Sequence, residues 1–250
     1  MQSSTLFDVV NPSDSLYIDG PITESPGAAL TKTGLGTLDL SAVNTFSSTG
    51  TTTIDAGTLE LDYPALAGNS PVSFGGGTLQ LNGAASPNTT SADNFTSTTF
   101  AAGGNVINVN LLNASSPVNV SLGTINRSTA SQGAVVEFNG SINGTLTPYQ
   151  TPSSSNQPAL LAATNDGVTY SGYATYGTSD WAATTASANG TSYVAPGSAI
   201  SGFYTSTMAP GGLQPQVLQG NGQGPANLDI NGTGDGRLLQ YSTEFSIRFN

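Results

Sequence analysis

The sequence says nearly the same thing three times: "GTLDL" from Gly36, "GTLEL" from Gly57 and "GTLQL" from Gly77. The copies begin 21 and then 20 residues apart. A period of that length marks a solenoid, in which each repeat buries its apolar side against the next one. Side chains in a strand point alternately to opposite faces. Leu38 and Leu40 therefore share a face, opposite Thr37 and Asp39. Leu59 and Leu61 oppose Thr58 and Glu60, and Leu79 and Leu81 oppose Thr78 and Gln80. The earlier "DSLYI" puts Leu16 and Ile18 in the same slots. Two apolar columns follow: Leu16–Leu38–Leu59–Leu79 and Ile18–Leu40–Leu61–Leu81.

A second strand per turn precedes each glycine. "TTTIDAG" and "PVSFGGG" align so that Thr52 matches Val72 and Ile54 matches Phe74, whereas "LTKTGLG" superposes less well. The glycines and the Asp55-Ala56-Gly57 corner supply the bends. The predicted fold is all-β: a right-handed parallel β-helix with about 20–22 residues per coil. Strands of adjacent coils lie about 4.8 Å apart, and each coil satisfies the backbone groups of the next. Leucine columns in register stabilise the stack at roughly 25 cal/mol per Å² removed from water. A helical reading fails on the glycine and β-branched content. An antiparallel sandwich turning at Asn-Gly pairs such as Asn82-Gly83 and Asn139-Gly140 stays open as the alternative.

"ALTKTGLGTLDLSAVNTFSSTGTTTIDAGTLELD" resembles the autotransporter-associated β-strand repeat. Leu30, Lys32, Gly34, Gly36, Asn44 and Thr45 fall on that pattern, as do Gly57, Leu59 and Leu61, and Phe46 stands where Tyr is usual. The resemblance covers residues 9–83. It implies a right-handed β-helix in the secreted passenger region of a large bacterial surface protein. The expected location is therefore extracellular, at the bacterial cell surface.

Composition narrows the function. Only 8% of the 250 residues are charged, and the net charge is −11, with one lysine and three arginines. Nucleic-acid binding needs clustered cations, so that partner class is excluded, as is docking to an anionic membrane. No direct membrane insertion is expected, since no apolar run reaches about 18 residues. The chain has no cysteine and no histidine, which removes disulfides, thiolate chemistry and histidine bases or ligands. The start lacks the basic and apolar regions of a signal peptide. The expectation is a piece of a longer secreted protein, its ends covered by further coils or other copies.

Residues 1–147 read as regular coils. Val106, Val109, Leu111, Val118, Val120, Leu122, Val135 and Phe138 are the candidate core of their later part. Residues 148–210 are rich in Pro, Ser and Tyr and read as a loop-rich insertion packed on the solenoid. Residues 211–250 read as a return to coils, with Phe245, Ile247 and Phe249 inward. The three parts form one continuous domain.

Three site candidates emerge. Asp39 and Glu60 fall on adjacent coils in one outward column with Tyr17 and Gln80. Such a pair repels unless a Ca²⁺ ion intervenes, and the plainer reading is two solvated acids. Asp235 in "NGTGDGRLL" faintly matches the glycine–aspartate calcium turn of β-rolls, and the plainer reading is an ordinary corner. Tyr170, Tyr173, Tyr176 and Trp181 could bind sugar rings. The plainer reading is that they pin the insertion to the coils. No cofactor beyond Ca²⁺ is expected.

No catalytic pair assembles, so no enzyme is expected. The leading expectation is a rigid spacer or stalk with adhesion or self-association through its long faces. The alternatives are a carbohydrate-binding module and a subunit polymerising end to end.

Overall fold

In the computed structural model of the chain, the described residues are 3–46, 49–64, 70–101, 103–127, 134–142, 145–146, 159–162, 174–177, 180–186, 192–196, 204–208, 227–230 and 246–249. All regular elements among them are β-strands. One face of the coil stack is built from β1 (Thr5–Asp8), β3 (Leu30–Thr33), β5 (Thr52–Ile54), β7 (Val72–Phe74), β10 (Ser97–Phe100) and β13 (Thr124–Arg127). All neighbouring pairs in it are parallel. The second face runs β2 (Ser15–Ile18), β4 (Thr37–Leu40), β6 (Thr58–Asp62), β8 (Thr78–Asn82), β11 (Gly103–Leu111) and β14 (Ala134–Ile142), again parallel. A third face starts as a single parallel bridge, Thr23 to Thr45. It is later formed by β9 (Ser91–Asn94), β12 (Val118–Ser121) and β16 (Ala159–Ala162). The fold is a right-handed parallel β-helix.

The columns read from the sequence are register partners. Leu16 pairs with Leu38, Leu38 with Leu59, and Leu59 with Leu79; Ile18, Leu40, Leu61 and Leu81 form the second line. The columns continue upward into Ile107 and Phe138, and into Val109. Leu38, Leu40, Leu59, Leu61, Leu79 and Leu81 are buried. On the first face Ile54 lies beneath Phe74 and Phe74 beneath Phe100. The Phe74 and Phe100 rings are 5.3 Å apart, and Phe100 meets Phe138 edge-on at 6.1 Å. Such offset and edge-to-face pairs add to the gain from apolar burial.

Coil length is not uniform. The offset between stacked residues is 25 between β1 and β3 and otherwise 20 to 22 in the first coils, as for Ile22 with Asn44 and Asp62 with Asn82. It grows to 28 between Asn82 and Asn110 and to 31 between Asn108 and Asn139. The extra length holds the strands of the third face.

Corners are closed by carboxamides and glycines. The buried Asn44 side chain accepts a hydrogen bond from the Ile22 N–H at 2.8 Å, tying one coil to the one before it. Asn105 accepts from the Gly76 N–H at 2.9 Å and donates to the Val135 carbonyl at 2.9 Å, so it spans three coils.

Three core assignments need correction. Val106 is only half-buried and Val135 is 48% exposed. Strand alternation is the cause: β11 buries Asn105, Ile107, Val109 and Leu111, and β14 buries Ala134, Val136 and Phe138. Val106 and Val109 differ by an odd number, so they cannot share a face of one strand. Leu16 keeps its place in the column but is 42% exposed, because β2 lies at the outer edge of the described sheet. Val109, Leu111, Val118, Val120, Leu122 and Phe138 are buried as expected.

The antiparallel sandwich is overturned for the coils. Asn82 ends β8, and the Gly83 N–H continues the ladder to the Asn110 carbonyl. Asn139-Gly140 lies inside β14 and makes no hairpin. Antiparallel pairing occurs elsewhere. β15 (Thr145–Leu146) folds back on β14. β17 (Ala174–Tyr176) stacks in parallel on β14, then pairs antiparallel with β18 (Asp180–Ala186), which pairs with β19 (Ser192–Pro196). β19 in turn pairs antiparallel with β16. This meander joins the second and third faces into one sheet across the end of the stack. Separately, β20 (Tyr204–Met208), β21 (Asn227–Ile230) and β22 (Ser246–Phe249) form a three-stranded parallel sheet. Ile247 and Phe249 belong to β22, while Phe245 lies outside the described residues.

Candidate functional site

The outward face of the second sheet carries the polar residues of the repeat. Asp39 pairs in register with Tyr17 below and Glu60 above, and Glu60 pairs with Gln80. The column continues through Asn108 to Asn139. Two residues further along the strands, Asp62, Asn82 and Asn110 form a second column. Below it, the Ser41 hydroxyl donates to Asp19 at 2.8 Å. Acids thus gather on the early coils and carboxamides on the later ones.

This order follows from backbone spacing. Side chains in a parallel ladder repeat about every 4.8 Å, so like charges in adjacent rungs repel. Asn82 relieves part of that repulsion. Its Nδ2 donates to Glu60 Oε1 at 2.5 Å and to Asp62 Oδ1 at 2.7 Å, while its Oδ1 accepts from Gln80 at 2.9 Å and from Asn110 at 3.2 Å. One carboxamide thereby holds two carboxylates, the bridging place a cation would take. Higher on the face Asn139 donates to Asn108 at 2.8 Å and to Glu137 at 2.9 Å.

Asp39 lacks such a bridge, and its Oδ1 is buried without a hydrogen-bond partner. Burial first, then the charges of Asp62, Glu60 and Asp19, push its carboxyl up to about 6. Burial also raises Glu60, the Asn82 hydrogen bond opposes this, and Asp62 adds to the rise. Among the described residues no three acids converge in a way that would hold a metal ion.

The aromatic candidates are only partly placed. Tyr170 and Tyr173 lie outside the described residues, as does Asp235. Tyr176 ends β17, half-buried and packed against the core, opposite Asp180 of β18. Trp181 is in β18, where its register partner is Thr175, while that of Tyr176 is Asp180.

Sequence reasoning missed Lys32. It occupies an inward slot of β3, over Phe7 and under Ile54, and is fully buried. Its Nζ donates to the carbonyls of Thr33 at 2.5 Å, Gly34 at 2.9 Å and Ala56 at 3.3 Å. Burial lowers its pKa, and Asp8 in the coil below raises it. The signal was alternation: Leu30 and Lys32 stand where later copies have Thr52 and Ile54, then Val72 and Phe74.

The segment from the start of β3 into β6 carries Lys32, Asp39 and Glu60, and residues 30–61 match the family model of the passenger-associated-transport-repeat. The chain thus contains an autotransporter-associated repeat. No curated protein and no solved structure matches the chain significantly.

Proposed function

We propose that this passenger-associated segment is a rigid spacer of a bacterial surface protein, holding other parts of its protein away from the cell. The observation that carries the reading is the in-register column Leu16–Leu38–Leu59–Leu79, extended by Ile107 and Phe138. A stack of this kind gains stability from each added coil and keeps one axis, which is what a spacer requires.

The outer surface supports a spacer rather than a lateral assembly. Acids and carboxamides dominate the outward columns, and the net charge of −11 makes copies repel one another. The β17–β19 meander crosses the end of the stack, which favours a discrete unit over an end-to-end filament. Composition points the same way on chemistry, because no histidine or cysteine is present to serve as base or nucleophile.

Sedimentation combined with small-angle scattering tests the proposal. A spacer gives an elongated monomer whose shape does not change with concentration. Growth in length with concentration would replace it with the filament reading, and a compact near-spherical particle would remove the physical basis of a spacer.

A further inference from the structure

We propose that Lys32 sets the stacking register of the coils, acting against slips by one whole coil. The need arises from the repeat itself. Gly36-Thr37-Leu38, Gly57-Thr58-Leu59 and Gly77-Thr78-Leu79 are the same three residues in three successive coils. If β4 paired with β8 instead of β6, Leu38 would still meet a leucine, Leu40 a leucine and Thr37 a threonine. At β4 itself the pair contacts are the same in both arrangements; the slip expels β5 and β6 and costs the burial of Ile54, Leu59 and Leu61, so it is a trapped refolding product rather than a competing native state.

Lys32 breaks the degeneracy. In the inward column Phe7–Lys32–Ile54–Phe74–Phe100 it is the polar member. Its ammonium is withdrawn from water and must be solvated by the fold. Two of its carbonyl partners, Thr33 and Gly34, belong to its own corner, so they travel with it in any register. The third, Ala56, belongs to the coil above, and Asp8 belongs to the coil below. The Ala56 contact exists only in the native stacking.

The neighbouring corner does not substitute for the native one. Three residues separate Ile54 from Thr58, and also Phe74 from Thr78, yet the two corners follow different backbone paths. Gly57 has φ +63° while its counterpart Gly77 is not in the left-handed region, and Gly76, in the place of Ala56, has φ +124° and points its N–H at Asn105. A slipped coil would bring Phe74 and this corner over Lys32, leaving the ammonium without its Ala56 partner. Buried polar groups that specify register at a cost in stability are known from coiled coils, and Lys32 has the same physical role here.

The chain has no cysteine, so engineered disulfides report the register directly. Thr37→Cys with Thr58→Cys samples the native pair. Thr37→Cys with Thr78→Cys samples the slip, since those positions are two rungs, about 10 Å, apart in the native stack and beyond disulfide reach. Each pair is refolded from denaturant under mild oxidation, with Lys32 or with Lys32→Met. Ile54→Ala, which weakens the same column without touching the ammonium, is the control. The slipped disulfide is expected to rise at least about tenfold with Lys32→Met and to stay at background with Ile54→Ala. If Lys32→Met does not refold, Lys32→Gln takes its place, with a smaller rise expected. An unchanged slipped fraction in the Lys32 variant, or an equal rise with Ile54→Ala, would overturn the proposal.

Discussion

Gly57 stacks directly on Gly36: a Cβ at position 57 would lie well inside contact distance of the Gly36 carbonyl oxygen, and of the Gly34 carbonyl as well. The repeat's glycines are therefore contact points between coils as much as bends within them. This explains why the phrase begins with glycine each time.

Gly57→Ala should be severely destabilising, because φ is +63° and the clashing atoms are backbone. A loss of about 3 kcal/mol or more is expected from strain and displaced ladder bonds together. Gly20→Ala, with nothing within 4 Å of the added carbon, should change stability by no more than about 0.5 kcal/mol. Urea unfolding of the two variants makes the comparison.

Alternation can be tested within β14. Val136→Ala removes buried volume and should cost about 1–3 kcal/mol, while Val135→Ala on the exposed side should be nearly neutral. A larger loss at Val135 than at Val136 would mean that the strand presents its faces the other way round.

Asp39 makes stability depend on pH. Its folded pKa, about 6, lies above the ordinary value of 3.8, so the folded chain binds the proton more tightly. The contribution is fully present below about pH 3.8 and is lost as pH rises through about 6. Asp39→Asn should therefore stabilise the protein at pH 7, by about 0.5–1 kcal/mol after allowance for solvent screening. The gain should vanish at pH 3.5. Thermal melts of both proteins across that window supply the check, and a gain that persists at pH 3.5 would rule out titration as its cause.

Asn82 should behave in the opposite sense. Asn82→Asp replaces a donor to Glu60 and Asp62 with a third carboxylate. The expected loss is about 1–3 kcal/mol at pH 7, shrinking as pH falls and Glu60, whose pKa burial raises, takes up a proton. Chemical denaturation at pH 7 and pH 4 distinguishes this from a loss of packing, which would be the same at both.

Asn44→Ala leaves the Ile22 N–H without its side-chain acceptor in a buried corner. About 1–3 kcal/mol is expected. Hydrogen exchange at Ile22 should accelerate more than exchange in β4, because the lost bond is local.

Much of this was written in the local pattern. The spacing of Gly36, Gly57 and Gly77, with alternation around Leu38, Leu59 and Leu79, determined the length of the early coils, the parallel pairing and which leucines face inward, but not the lengthening of the later coils to 28 and 31 residues. A strand's two faces and a fixed repeat leave no other way to bury all of them together. The same alternation would have placed Ile107 and Val136 correctly, had each strand been held to one parity. The sequence also put Asp39, Glu60 and Gln80 in one column. It could not say that Asn82 would bridge Glu60 and Asp62 or that Asp39 would lack a partner, since both depend on rotamers and distances across coils. Lys32 shows the limit most clearly. Alternation with Leu30 puts it on the inward face, but only the stacked corners reveal three carbonyl oxygens close enough to solvate a buried ammonium. The closure of the stack by β17–β19 was likewise decided by long-range pairing, which leaves no period in the chain to read.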